Sequence, residues 1–271
     1  MGANRKVKTA DLLATHPVFS LDEAVKELAP SGGRARAIER LKYHRETGRL
    51  KLVAREIYAV VPPGLSPEEF RPDLFLVASA VRPEGVFAYH SALELLGAAH
   101  SMWRACTLYT TLRRRPLTVD GAKVRFLEHP KALRWAQDQQ LGTRKVERRG
   151  RLLRTTGPER TLVEGFHRPS LVGGPEELVR SASGFSTLDL DLLERVLNRY
   201  RAKNLWSAIG WFLERHQQAF HVPADFLNRC AQYRPRSPQY LERGNRQGTL
   251  VPRWNLILPK SLLQLSEPNE H

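Results

Sequence analysis

The sequence predicts an α+β chain in two unequal parts: a small amino-terminal helical domain closed by a β-hairpin, then a larger mixed α/β domain ending in a helix-rich region. Three observations predict it. Residues 31–60, SGGRARAIERLKYHRETGRLKLVAREIYAV, change period, from helical spacing up to about Thr47 to strand alternation from Leu50. Residues 61–73, VPPGLSPEEFRPD, carry four prolines and one glycine and interrupt both patterns. Beyond them, short alternating runs give way to amphipathic helices between Pro175 and Gln217. The expected divisions are residues 1–62, a linker at 63–73 and residues 74–271.

In the first part, residues 9–16 form a short helix with Ala10, Leu13 and Ala14 as its apolar side, stopped by Pro17. A second helix opens at Ser20, whose spacing to Glu23 is that of a reciprocal capping box. Leu21, Ala24, Val25 and Leu28 follow the i, i+3, i+4, i+7 rule, and Pro30 ends the segment. Ser31, Gly32 and Gly33 supply a turn, and the third helix runs to about Thr47, with Gly48 placed for a left-handed cap. Ala37, Ile38 and Leu41 mark its packing side; Arg36, Arg40, Tyr43 and Thr47 mark another, with His44 at the margin. Leu50, Leu52, Tyr58 and Val60 then alternate around a polar tip at Arg55 and Glu56. Three short helices followed by a hairpin is the element order of a winged helix-turn-helix.

Such a unit places one helix in the major groove, where an arginine donates two hydrogen bonds to guanine; Arg36 and Arg40 are the first candidates. Arg34, Lys42 and Arg45 are candidates for phosphates, which set affinity and register. Arg55 at the tip, and a disordered arm carrying Arg5, Lys6 and Lys8, are candidates for a minor groove. Tyr43 and His44 either join this face or cover the domain's own apolar edge. The competing reading of the whole basic helix is a solvated face.

Composition agrees with a polyanionic partner, double-stranded DNA first. The formal charge is +15 and the pI about 10.3. Residues 1–61 hold 12 Lys plus Arg and 7 Asp plus Glu, or +5, which leaves +10 for the remaining 210. No run of 18 apolar residues and no signal peptide occurs, so a cytoplasmic chain without a membrane partner is expected. Cys106 and Cys230 are isolated, which suits a reducing compartment.

In the second part, Asp73–Val81 and His90–Gly97 read as helices. Thr107–Thr111, Leu117–Val119 and Lys123–Glu128 read as strands, the last two joined by the hairpin signal Asp120-Gly121. Val146–Arg149 and Leu152–Thr155 make a further hairpin around Gly150. Thr156 and Glu159 have capping-box spacing before the next helix, with Pro158 in its first turn. Pro175–Ser183, Leu188–Arg201 and Leu205–Gln217 are the clearest helices, with Trp206 and Trp211 expected in the core. A strand in WNLILP precedes a polar tail.

A winged helix followed by FLVASAVRPEGVFAYHSALELLG, strands, and RTTGPERTLVEGFHRPSLVGGPEELVR resembles the AbiEi-type antitoxins of bacterial toxin–antitoxin systems, over roughly residues 8 to 260. The resemblance implies an amino-terminal domain that binds inverted repeats in its own promoter and represses its operon. It also implies a carboxy-terminal domain that counteracts a nucleotidyltransferase-like toxin encoded beside it. Two departures stand out: Glu56 where members often have glycine near the wing tip, and the extra Gly157 within the run otherwise written T-P-E-R-T-L.

No catalytic, cofactor or metal site is expected. His90 and Ser91 would make a base and a nucleophile, yet adjacent side chains on a helix diverge; capping by Ser91 or a buried hydrogen bond from His90 explains them more simply. Glu159 as a cap and an Arg160–Glu164 pair explain that acidic group without acid–base work. A second basic cluster, Arg144, Lys145, Arg148, Arg149, Arg151 and Arg154, near Arg113, Arg114 and Arg115, is either protection of strand edges or a second polyanion or partner site. Two alternatives stand beside a repressor-antitoxin: a winged-helix regulator without a toxin partner, and a nucleic-acid-processing enzyme.

Overall fold

The computed structural model describes residues 2–29, 33–111, 115–242 and 248–265. The expectations at Pro30, Ser31, Gly32, Arg113, Arg114 and the polar tail fall outside these residues, as do the side chains of Arg5, Lys6 and Lys8. In chain order the elements are α1 (Gly2–Thr15), β1 (Val18–Ser20), α2 (Leu21–Leu28), α3 (Gly33–Glu46), β2 (Leu50–Ala54), β3 (Ile57–Val60), α4 (Leu74–Val81), β4 (Val86–Phe87), α5 (His90–Leu95), β5 (Ala105–Thr110), β6 (Leu117–Val119) and β7 (Ala122–Glu128). They continue with α6 (Ala136–Gln139), β8 (Thr143–Arg148), β9 (Arg151–Thr156), α7 (Pro158–His167), α8 (Pro175–Ala182), α9 (Leu190–Tyr200), α10 (Lys203–Arg215), α11 (Ala224–Gln232), β10 (Gln239–Tyr240), β11 (Thr249–Val251), β12 (Leu256–Leu258) and α12 (Lys260–Gln264). The fold is mixed α+β, with its described strands in three sheets. No helix among the described residues is long and apolar enough to cross a membrane.

The chain divides into two compact units, neither a continuous stretch. The first joins residues 1–85 with 104–127 and 145–153; the second joins 86–103, 128–144 and 154–271. The expected linker at 63–73 therefore lies inside the first unit. Asp73 shows why: its carboxylate accepts from the backbone N–H groups of Phe75 and Leu76 as the α4 N-cap, and it also holds Arg148 at 2.8 Å.

Within the first unit, the capping box forms as its spacing predicts, Glu23 N–H donating to Ser20 Oγ and Ser20 N–H to Glu23 Oε2. Leu12, Phe19, Leu21, Ala24, Leu28, Ala37, Leu41, Leu50 and Tyr58 pack into one core. Phe19 is fully buried with its ring stacked on Tyr58 at 5.8 Å, a burial that stabilises by about 2–3 kcal/mol. Phe19 belongs to β1, which sequence periodicity does not reveal because three residues carry too little alternation. β1 pairs antiparallel with β3, giving the order β1-β3-β2. Helix α1 begins at Gly2, so the backbone of the amino-terminal arm is helical rather than disordered.

Glu56 at the β2–β3 tip has φ +61°, the left-handed region that a glycine occupies without strain. Its carbonyl accepts from Leu21 N–H at 2.8 Å and its carboxylate pairs with Arg34, contacts that fix the tip in this conformation. The Asp120-Gly121 signal is fulfilled by β6 and β7, both turn residues having positive φ.

The second unit is built on α7, which packs with α8, α9 and α10, while α10 also packs with α11. Trp206 and Trp211 are buried as expected. The predicted Arg160–Glu164 pair forms at 2.8 Å with neither side chain exposed. Arg160 Nη1 donates to the carbonyls of Gln139 and Leu141, and Tyr200 Oη donates to Glu164, so the buried charges are solvated by fixed protein dipoles. The expected Thr156–Glu159 capping box is absent: Gly157 is the N-cap, Thr156 Oγ1 lies 2.7 Å from Thr161 Oγ1, and Glu159 accepts from Asp189 N–H. The helix therefore starts at Pro158, beyond Thr156, with Gly157 as its cap. β12 pairs with β10 in parallel and with β11 antiparallel.

Candidate nucleic-acid interface

Helix α3 is seated by a narrow stripe. Ala37 and Leu41, four residues apart, are buried against the first-unit core, and α3 packs on α2 and β2. Ile38, expected in this stripe, is 41% exposed, because at about 100° per residue it is rotated off the line through Ala37 and Leu41. Gly48 closes the helix with φ +71°, and Arg49 N–H reaches back to the His44 carbonyl at 2.9 Å.

The predicted readers fall into two groups. Arg36, Lys42, Tyr43, Arg45 and Arg55 are exposed, and no ion pair or side-chain hydrogen bond ties the charged ones to the described residues. Tyr43, 62% exposed, covers no apolar edge; its ring meets His44 edge-on at 5.3 Å. Arg40 departs from the expectation. It is half-buried, and its Nη1 donates to the Leu28 carbonyl at the carboxy-terminal end of α2, so part of its donor set ties the two helices together. Arg34 is held by Asp22 at 2.8 Å and Glu56 at 2.5 Å, and these carboxylates, Glu56 first, keep its guanidinium above its ordinary pKa. His44 is half-buried, and burial with the nearby Arg49 cation lowers its pKa, which disfavours its cationic form.

The second basic cluster is largely committed inside the first unit. Arg148 Nε donates to Asp73 at 2.8 Å with its guanidinium 4.6 Å from the Phe75 ring centroid, and Arg149 lies 3.6 Å from the same carboxylate. Arg151 donates to Glu23 at 2.5 Å. Burial favours a raised pKa for Glu23, but the Ser20 N–H and the Arg151 cation outweigh it and hold the carboxyl below its ordinary value. Reading Arg148 and Arg151 as free polyanion ligands is thus corrected: both clamp the β8–β9 hairpin to α2 and α4. Arg144 and Lys145 are exposed on β8, an edge strand, where charge discourages further pairing, and Arg154 is half-buried. A further clamp that sequence reasoning missed is Lys51 to Asp120 at 2.8 Å. These partners stand 69 to 128 residues apart, and no local signal announces them.

In the second unit, His90 is buried, stacked on Trp103 with centroids 3.9 Å apart, and its Nδ1 lies 3.0 Å from Glu94. Glu177 lies 3.6 Å from its Nε2 and accepts from Ser101 Oγ. This enclosure fits the expected buried histidine. Ser91 does not cap the helix; Tyr89 is the N-cap, with φ +58°. Among the described residues no group of three or more His, Cys, Asp or Glu could hold a metal ion.

No protein-family model matches the sequence, and no curated protein sequence does. The fold is similar to the crystal structure of RV2827C protein from Mycobacterium tuberculosis, with a TM-score of 0.59 and 17% identity over 97% of this chain and 94% of that one. The likeness shows a shared fold.

Proposed function

We propose that the elements from α1 to β3 form a winged helix-turn-helix that binds double-stranded DNA, and that the chain is a repressor of its own operon with an antitoxin role. One observation carries the DNA reading. α3 is fastened by Ala37, Leu41 and part of Arg40, and it leaves Arg36, Lys42, Tyr43 and Arg45 exposed in a unit that also exposes Arg55 at its hairpin tip. A helix so mounted offers guanidinium and ammonium groups to base edges and phosphates. The antitoxin role against a nucleotidyltransferase-like toxin rests on the sequence resemblance over residues 8 to 260.

The DNA reading is tested with duplex taken from immediately upstream of the protein's own gene, by fluorescence anisotropy of the full chain. Arg36→Ala is expected to weaken binding by about 5- to 150-fold, the equivalent of one lost base contact of 1–3 kcal/mol. Lys42→Ala and Arg45→Ala are expected to reduce the salt dependence on every duplex, each by about one phosphate equivalent. Equal affinity of Arg36→Ala and the unmutated protein for that duplex would refute the assignment. Co-expression with the adjacent gene, scored for growth, tests the antitoxin role, and unrelieved toxicity rejects it.

A further inference from the structure

We propose that Glu39 is a specificity-determining residue of α3, accepting a hydrogen bond from the N4 amine of a cytosine in the major groove. This deepens the DNA reading above and rests on it. At about 100° per residue, Glu39 lies roughly 160° from both Ala37 and Leu41, so it points almost straight away from the stripe that seats the helix. No other residue of α3 projects further from its own domain by this reckoning. A groove that receives α3 by its solvent face meets Glu39 first.

Glu39 is exposed and makes no ion pair or hydrogen bond with the described residues, although Arg36 and Lys42 stand three residues to either side. It is therefore not part of a structural pair that would explain a carboxylate at this point. A negative charge at the centre of a face that approaches a polyanion is repelled unless it acquires a donor there. In the major groove the donors are the amino groups of cytosine and adenine, and the pairing that suits a carboxylate is cytosine N4. Arg36, on the same face, supplies the complementary chemistry toward guanine. Together they predict a half-site containing adjacent G·C pairs, read by opposite charges.

Glu46, also exposed and also on α3, is the control, because Glu46→Gln removes the same charge from the helix without altering its centre. The full chain, Glu39→Gln and Glu46→Gln are each used to select binders from a randomised duplex library, and the winning duplexes are ranked by anisotropy. Melting temperatures of both variants should match the unmutated chain, since neither side chain has an ion pair or hydrogen bond to lose among the described residues. The expected result is a cytosine position, preferred by at least about fivefold, that Glu39→Gln loses and Glu46→Gln retains. If Glu39→Gln selects the same sequence, or if both variants simply bind all duplexes more tightly, the carboxylate only repels and the proposal is overturned. If the unmutated chain selects no sequence and shows no salt-dependent binding, the DNA reading itself fails and takes this one with it.

Discussion

Arg151→Ala isolates the contact that holds the β8–β9 hairpin on α2, and its cost can be worked from the geometry. The guanidinium meets Glu23 at 2.5 Å with side chains 31% and 30% exposed, between the solvated and fully buried regimes. Exposed pairs contribute about 0.2–1 kcal/mol and breaking a buried pair costs about 3–5, so a loss of about 1–2 kcal/mol is expected here. Glu23→Gln keeps an acceptor for Ser20 N–H and loses only the charge, so it should cost a similar amount. Glu23→Ala also loses the capping box and should cost about 1 kcal/mol more. Urea unfolding of the two single variants and Arg151→Ala/Glu23→Gln gives the coupling, expected at about 1 kcal/mol. The pH dependence has a definite sign. Glu23 is held below its ordinary value of 4.5, so the pair contributes fully above that pH and its contribution is lost as pH falls through the folded value. The gap between the unmutated protein and Arg151→Ala should therefore close in acid. A coupling below about 0.3 kcal/mol, or a gap that persists unchanged however far the pH is lowered while the protein stays folded, would refute the clamp.

Three other outcomes are expected. Gly210→Ala should destabilise the protein by about 3 kcal/mol in urea melts, since its Cβ would fall 2.1 to 2.7 Å from ring carbons of the fully buried Trp254. Glu164→Gln should cost about 3–5 kcal/mol by leaving Arg160 charged and buried, whereas Arg160→Met/Glu164→Leu should recover much of the loss; a cost under about 1 kcal/mol for the single change would contradict the buried pair. Stability should fall as pH drops from 6.5 toward 4, because burial and the Arg160 cation push His129 down to about 4, while the unfolded chain takes up the proton from about 6.5. Urea midpoints at pH 7 and 5 check this, and His129→Gln should flatten the slope.

How much of this protein was legible in its residues depended on the range of the interaction. Ser20 and Glu23 are three positions apart, Asp120-Gly121 is a turn in itself, and Arg160 and Glu164 lie one helical turn apart; each was readable because the partner is fixed by local geometry. The same holds for the order of α2, α3 and the hairpin. What only the tertiary structure decided is which charges remain available. Arg40 was indistinguishable from Arg36 on a helical wheel, yet the Leu28 carbonyl engages one and nothing among the described residues engages the other. Arg148 and Arg151, which the sequence leaves as either edge protection or a polyanion or partner site, are met by Asp73 and Glu23 across 75 and 128 residues. The proline-rich segment lies within the first unit, which the later residues 104–127 and 145–153 also join. Periodicity reports the face a side chain leaves its own helix from; only the folded chain shows what that side chain meets.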